Sequence, residues 1–460
     1  MRGWASFFVY FRHFSSATHP NLLYGYGANR LNMWIVQLPF LRLIVAGPAM
    51  VSLFFIVSGY SLSWAPLKAL HAREGGGAEA ALLRLSSATF RRAARLFLPA
   101  VVSSFLIMWC VLFGLYDRGQ LAFTVKDMPG YREPQPPLLR TLPWHVQFKD
   151  WMRATWAFLN VWAPSKHTYD VHLWTLSVEF RCSIVLFAAL VAFVRCRPLV
   201  RAVLLFAMVV YCHYSDYWQG WLFFAGSFLA QLKFIQEDGR AAASAASPGA
   251  ALLPTAGAVA VENHVISLQE KPLPQPQPTL STAFQRLSWP DVLRVLCFTL
   301  GLFLLSAPDY NFSHTAPGYI WLSQTLPPPT WPENWRILHC LGSFFAVYAV
   351  SSTNTHLLRW LFSNALSRYL GRISYALYLV HGPVVHMLGF WLVPWFWDLL
   401  GARDPATGAI KSMSGKEAGF AAAFLIVTAV VVWAADVFWR CVDARCVQLA
   451  KWVEANLAAL

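Results

Sequence analysis

The chain has 460 residues, 57% hydrophobic, 16% aromatic and only 13% charged, with 22 Trp and 34 Phe. A soluble domain is nearer a quarter charged, and several apolar runs approach the ~20 residues that span a bilayer, so the composition excludes an ordinary soluble protein and predicts an all-α, polytopic membrane bundle of about ten transmembrane helices. The net charge of +14 lies mainly in connections between apolar runs, where topology and anionic lipid account for it without nucleic acid as a partner.

The first run, residues 3 to about 18, follows Arg2 and contains His13. Eleven positions on a helix advance about 1100°, three turns plus roughly 20°, so both side chains share a face and lie about 16 Å apart along the axis. Ser6 falls on the same stripe. Ionisable groups are expensive in hydrocarbon and usually line a bundle interior or a wet cavity. The competing reading makes Arg2 a cytoplasmic anchor and His13 an interfacial or packed histidine. The run has no n-region and no small-residue cleavage site, so an internal span is expected to serve as the targeting signal.

Residues 19–44 form a polar, aromatic connection. The second run is Gly47 to Trp64; Gly47, Val51, Phe54, Ser58 and Ser61 share a face, and Gly59 permits close helix approach. A basic stretch, Lys68 to Arg95, closes on FRRAAR at 90–95. The third run is roughly 96–115. Residues 116–170 read as a long connection with a short helix near 151–162. The fourth run starts at VHLWTLSVEFRCSIVLF and continues to about Val194, with His172, Thr175, Glu179 and Cys182 on one face. Two further runs cover about 199–213 and 218–235.

Residues 236–289 are dominated by Ala, Gly, Ser, Pro and Gln, with PLPQPQP at 272–278. Such a composition cannot bury enough surface to order itself and predicts a flexible cytosolic loop. The last four runs are about 291–306, 337–352, 373–396 and 418–439, followed by a basic amphipathic tail. The chain thus divides into a first membrane part at 1–235, the loop at 236–289, a second membrane part at 290–440 and a cytosolic tail at 441–460.

Lys and Arg concentrate in connections 65–95, 195–201, 236–290 and 359–372 and in the tail. Alternation over the spans then predicts both termini in the cytosol, in an endomembrane or the plasma membrane. Residues 19–44 object, since they hold Arg30 and Arg42 on the outer side. The sequon Asn311-Phe312-Ser313 falls in a connection expected to be lumenal or extracellular. The eight cysteines are scattered, without a CxxC pair; no disulfide framework and no metal site are expected.

In the ninth run Ser374, Tyr378 and His381 lie on one face at i, i+4 and i+7. Four helices therefore carry polar stripes. Each member has an ordinary explanation alone: Ser58 bonding back to its own helix, Tyr375 and Tyr378 packing, His381 satisfying backbone freed by Pro383, and Arg91, Arg92 and Arg95 setting topology. Glu179 is harder to dismiss, because an acid on an apolar helix needs a partner or water. Together, a histidine and a carboxylate in a polar interior are equipment for proton transfer. A permease or lipid exporter could use the same interior, although no internal repeat suggests inverted halves.

Taken in order, these stretches resemble the acyltransferase 3 family of integral-membrane acyltransferases. The shared motifs are Arg2-Gly3 with His13 ten residues past the arginine, and Phe54-Phe55-Ile56-Val57-Ser58-Gly59-Tyr60. Trp174-Thr175-Leu176-Ser177-Val178-Glu179 and the set Gly371, Ser374, Tyr375, Leu377, Tyr378, Leu379 and His381 complete them. GPAMVSLFF and LWTLSVEFR are most similar to fungal members. Family members usually have residues ahead of the arginine, and the 236–289 insertion lies outside the motifs.

The resemblance implies transfer of an acyl group, often acetyl, from acyl-CoA to a hydroxyl of a glycan, lipid-linked sugar or small natural product. It makes His13 essential and Arg2 important for the donor. His13 would accept the alcohol proton as general base, or carry the acyl group itself. Glu179 would orient His13, hold the acceptor or stabilise imidazolium. Ser58, Tyr60, Ser374, Tyr378 and His381 are candidates to contact substrate or the thioester oxygen. Arg2, Arg91, Arg92 and Arg95 suit CoA phosphates arriving from the cytosol. No permanently bound cofactor and no metal are expected; acyl-CoA is the co-substrate, and acceptor and bilayer are the other partners. A degenerate, structural family member would not need the retained Arg, His and Glu. No oligomerisation signal is visible.

Overall fold

All ten apolar runs fold as helices, because a segment in lipid must satisfy its backbone polar groups within itself. The computed structural model describes residues 1–72, 76–119, 128, 136–137, 143–163, 167–245, 289–326, 331–351 and 356–457. Among these residues there is no β-strand, only an isolated bridge between Arg403 and Ile410. The principal helices are α1 (Arg2–Ser16), α2 (Gly47–Leu70), α3 (Gly77–Leu112), α4 (Trp144–Leu159), α5 (Trp174–Ala192), α6 (Pro198–Tyr214) and α7 (Trp218–Ala245). They continue as α8 (Trp289–Leu305), α9 (Arg336–Ser351), α10 (Ala365–Val384), α11 (Phe390–Leu399), α12 (Met413–Phe438) and α13 (Ala444–Leu457).

Five stretches are long and apolar enough to cross a bilayer: Gly47–Leu70, Gly77–Leu112, Val171–Ala192, Ala365–Leu399 and Met413–Leu457. The remaining apolar runs form shorter or more polar helices packed among them.

Several boundaries differ from the sequence reading. The basic stretch before the third run is not a connection from Gly77 onward; it is the first half of α3, which runs for 36 residues. Its Ala, Leu, Glu and Arg are strong helix formers, so the helix continues out of the apolar region instead of stopping at it. The short helix expected at 151–162 is α4, beginning at Trp144. The ninth run is broken by a π-turn at Val385–Gly389 between α10 and α11. It follows Pro383, which lacks the N–H that an unbroken ladder needs. The expected flexible loop at 236–289 is helical as far as Ala245, where α7 ends, because the apolar helix continues through its helix-forming Gln, Glu, Arg and Ala; residues 246–288 lie outside the described residues.

Glycine sets the tightest crossing. A Cβ on Gly59 would sit 2.1 Å from the carbonyl oxygen of Phe223, and one on Gly226 2.1 Å from that of Ile56. Backbones of α2 and α7 therefore touch, the close approach small residues allow in membranes. Gly3 does the same for α1, with Leu370 backbone 2.3 Å from the virtual Cβ.

Helix α1 is the seam between two apolar cores. Ala5 and Val9 join the core built on α2, α5, α7 and α9. Tyr10 and Phe14 join the core built on α10, α11 and α12. Phe8 packs against the first of these cores, and Trp4 and Phe7 against the second.

A buried ionic node holds the C-terminal end of α1. Asp309 lies 3.3 Å from Arg12 and 3.9 Å from Arg42. Arg42 also donates to the carbonyls of Ala307 at 2.9 Å and Leu23 at 2.8 Å. Its side chain is 1% exposed. Arg42 is thus a structural strut between the 19–44 connection and the segment after α8.

Candidate active site

Helix α1, the 3-10 turn Val171–Leu173 just before α5, and α10 each bring one histidine to a common point. One ring nitrogen from each of His13, His172 and His381 lies within 4.8 Å of the other two. His13 and His172 are closest, with Nδ1 and Nε2 3.3 Å apart and rings nearly perpendicular. On its far side His172 meets Asp170, whose Oδ1 accepts from both the backbone N–H and Nδ1 of His172 at 2.9 Å. Nδ1 of His381 donates to the carbonyl of Tyr378 at 2.7 Å. Gly382 makes room for this packing, since a Cβ there would be 2.9 Å from Nδ1 of His172. His172, His381 and Asp170 are buried.

A second constellation lies toward the start of α1. Arg2 donates to Ser58 at 2.7 Å and lies 3.6 Å from Glu179. Arg92 donates to the same carboxylate at 2.9 Å and to Ser183 at 3.0 Å. Ser58 donates to Glu179 at 3.1 Å. A cavity of about 390 Å³ opens here, within the usual range for ligand pockets. Four arginines face it, Arg2, Arg92, Arg95 and Arg372, against two carboxylates, Glu179 and Asp443. A charged side chain in a bilayer interior costs roughly 3 kcal/mol or more, so an excess of arginines around one cavity requires an anionic occupant or water.

Thr175 and Tyr378 are part of the cavity wall. Their hydroxyls are 2.6 Å apart, and Tyr378 also donates to the carbonyl of His172. The imidazoles adjoin this pair. A smaller cavity of about 10 Å³ also touches the cluster, lined by Tyr116, Tyr169, Asp170, His172 and His386. That volume is about one water molecule's worth.

Several expected residues meet here and several do not. His13 and His381 are together, and Arg2, Arg92 and Arg95 share one cavity. Glu179 was expected beside His13; it stands with Arg2 and Arg92 instead. The reason is helical: His172 is level with His13, and Glu179 lies two turns further along the same chain segment, about 10 Å away. Ser58 is held at this arginine end too. Ser374 lines the cavity, its hydroxyl donating to Gly371 at 2.9 Å. Tyr60 stacks on Trp64 at 5.7 Å and is not on the cavity wall. Arg91 turns away and pairs with Glu454 of α13 at 2.9 Å. It sits one position from Arg92, about 100° round the helix.

The sequence reading missed Asp170 and Arg372. Asp170 precedes the fourth run in a connection, where acids are unremarkable; its signal is the Asp-x-His spacing at the start of a span. Arg372 looks like a charge that sets topology. His172 is noted there only as one of a polar stripe.

An all-helical membrane bundle with a cationic cavity beside buried imidazoles defines a membrane-embedded group-transfer enzyme. The acyltransferase-domain model Acyl_transf_3 matches residues 1–440. The chain belongs to the acyltransferase 3 family and is an acyltransferase. It is 31% identical over 443 residues to O-acetyltransferase PaAT-1 of Phomopsis amygdali, covering 92% of this chain and 77% of that protein. Acyltransferase clz18 of Cochliobolus lunatus is 23% identical over 91% of this chain and 83% of its own. Acyltransferase R4 of a Phoma species is 24% identical over 92% of this chain and 84% of its own. No solved structure matches the chain significantly.

Proposed function

We propose that this acyltransferase moves an acetyl group from acetyl-CoA to a hydroxyl of a small natural product, glycan or lipid-linked acceptor. The observation that carries the reading is the cavity lined by four arginines, whose wall residues Thr175 and Tyr378 also bond to the carbonyl of His172 in the histidine cluster. Arginine suits phosphate groups through planar, bidentate hydrogen bonding. The separation of about 16 Å along α1 between Arg2 and His13 matches a donor whose anionic head and reactive thioester are joined by a long arm. The name of the Phomopsis relative supports acetyl as the group.

In the chemistry, His13 takes the proton of the acceptor hydroxyl as its oxygen attacks the thioester carbonyl. The tetrahedral intermediate collapses with loss of the C–S bond, and the thiolate recovers that proton from His13. His381 donates from Nδ1 to the carbonyl of Tyr378, so its Nε2 is an acceptor suited to the hydroxyl of the alcohol. Glu179 aligns the guanidiniums of Arg2 and Arg92. With both termini cytosolic, the donor would enter from the cytosol and the acceptor from the opposite side.

Comparison of metabolites from cells with and without the gene tests the reading: one metabolite heavier by a single acetyl unit is expected only in cells that carry it. In isolated membranes, His13→Ala should abolish transfer of radiolabelled acetyl from acetyl-CoA to an extract of cells lacking the gene. Unchanged transfer by that variant would remove the reading. Sealed, oriented vesicles test sidedness: strictly lumenal use of acetyl-CoA would end the cytosolic-donor scheme.

A further inference from the structure

The geometry points to His172, oriented by Asp170, as the residue that sets the tautomer of His13 and shares its positive charge when it acts as base. This rests on the acyl-transfer reading above and adds two positioning residues to it. A carboxylate only accepts hydrogen bonds, and a neutral imidazole donates from one nitrogen and accepts at the other. Oδ1 of Asp170 lies 2.9 Å from Nδ1 of His172, so Nδ1 carries the hydrogen and Nε2 is the acceptor. Nδ1 of His13 lies 3.3 Å from that acceptor, so it carries a hydrogen in turn. The lone pair of His13 is thereby on Nε2, and Nε2 is the atom that takes the alcohol proton.

On proton uptake the imidazolium of His13 keeps its Nδ1–H on His172, whose far edge is bonded to a carboxylate. Positive charge is met through two hydrogen bonds without moving a proton onto either partner. The proton remains on His13 until the C–S bond breaks, then passes to the departing thiolate, so the step balances. Burial makes the pair effective: Asp170 is 6% and His172 7% exposed, and hydrogen bonds are stronger in a low-dielectric interior. The ring has little freedom to turn, since Gly382 abuts it and Tyr378 holds the carbonyl of its own residue.

Asp170→Asn is the decisive variant. The amide of asparagine keeps Oδ1 as acceptor for the backbone N–H of His172 but removes the negative charge that holds the hydrogen on Nδ1 of His172 and offsets the imidazolium of His13. In a serine-protease triad the corresponding change costs about 10⁴ in kcat. Here, transfer of acetyl from acetyl-CoA to the extract of cells lacking the gene should fall at least about 100-fold in kcat. KM for acetyl-CoA should stay within about threefold, because the arginine end is untouched. His172→Gln, whose carbonyl can still accept from His13, should retain more activity than His172→Ala. On a His13→Ala background, Asp170→Asn should add no further loss.

A folded Asp170→Asn protein within about threefold of the parent kcat would overturn the assignment, as would a fully additive loss on the His13→Ala background. So would one equivalent of zinc that co-purifies with the parent and is lost from His172→Ala, since the imidazoles would then be ligands. Melting temperature and size-exclusion behaviour in detergent identify folded variants. If His13→Ala itself keeps full activity, the acyl-transfer reading fails rather than this one.

Discussion

The hydroxyls of Thr175 and Tyr378 lie 2.6 Å apart in the wall of the arginine-lined cavity, and both also bond to the carbonyl of His172. Neither helix would hold this wall alone: Thr175 comes from α5, Tyr378 from α10. A thioester approaching His13 from the cavity has to part them. A neutral hydrogen bond contributes about 1 kcal/mol, roughly a fivefold factor in rate or population. Tyr378→Phe is expected to lower acetyl transfer about fivefold and to raise acceptor-independent CoA release by a similar factor. A thiol-release assay with and without the acceptor extract reads both.

Adjacent arginines should behave differently. Arg92 faces the cavity, whereas Arg91 is paired with Glu454 at the protein surface, both side chains partly exposed. Such a pair contributes at most about 1 kcal/mol. Arg91→Ala should leave KM for acetyl-CoA within about twofold, while Arg92→Ala should raise it tenfold or more, the loss of roughly 1.4 kcal/mol of charge-assisted contact. Steady-state kinetics on purified protein separates the two.

Glu179 is predicted to act on the donor and not on the proton. Glu179→Gln loses the ion pairs with Arg2 and Arg92 and leaves two guanidiniums without their shared anchor. The expected signature is a rise of about tenfold in KM for acetyl-CoA, with kcat changed less than about threefold. A kcat collapse at unchanged KM would instead place the carboxylate in the chemistry.

Asp309 bears on stability. Its side chain is fully buried against Arg12 and Arg42. Removing one partner of a buried pair strands the other charge, at a cost of about 3–5 kcal/mol. Asp309→Asn should therefore lower the melting temperature sharply. Removing one of the two guanidinium charges with it, as Arg12→Gln with Asp309→Asn, should recover part of that loss relative to the sum of the single changes.

Much of the architecture was legible because helices announce themselves locally. Apolar runs of the right length predicted the ten helices, and the 3.6-residue repeat put Arg2 and His13 on one face, with Ser374, Tyr378 and His381 on another. Motifs in a fixed order predicted the family. Where the helices end was less legible: α3 begins some twenty residues before its apolar part, because helix propensity carries on where hydrophobicity stops.

Which stripe meets which was another matter. From residue spacing alone, a histidine on α1 and an acid on α5 look like natural partners, yet Glu179 pairs with Arg2 and Arg92 while His172 and Asp170 take the place beside His13. Periodicity fixes a side chain's direction around its own axis but says nothing of its height against a neighbouring helix. That height comes from how backbones cross, through contacts such as Gly3 on Leu370 and Gly59 on Phe223. These join residues far apart in the chain, and a slide of two turns is enough to exchange one carboxylate for another.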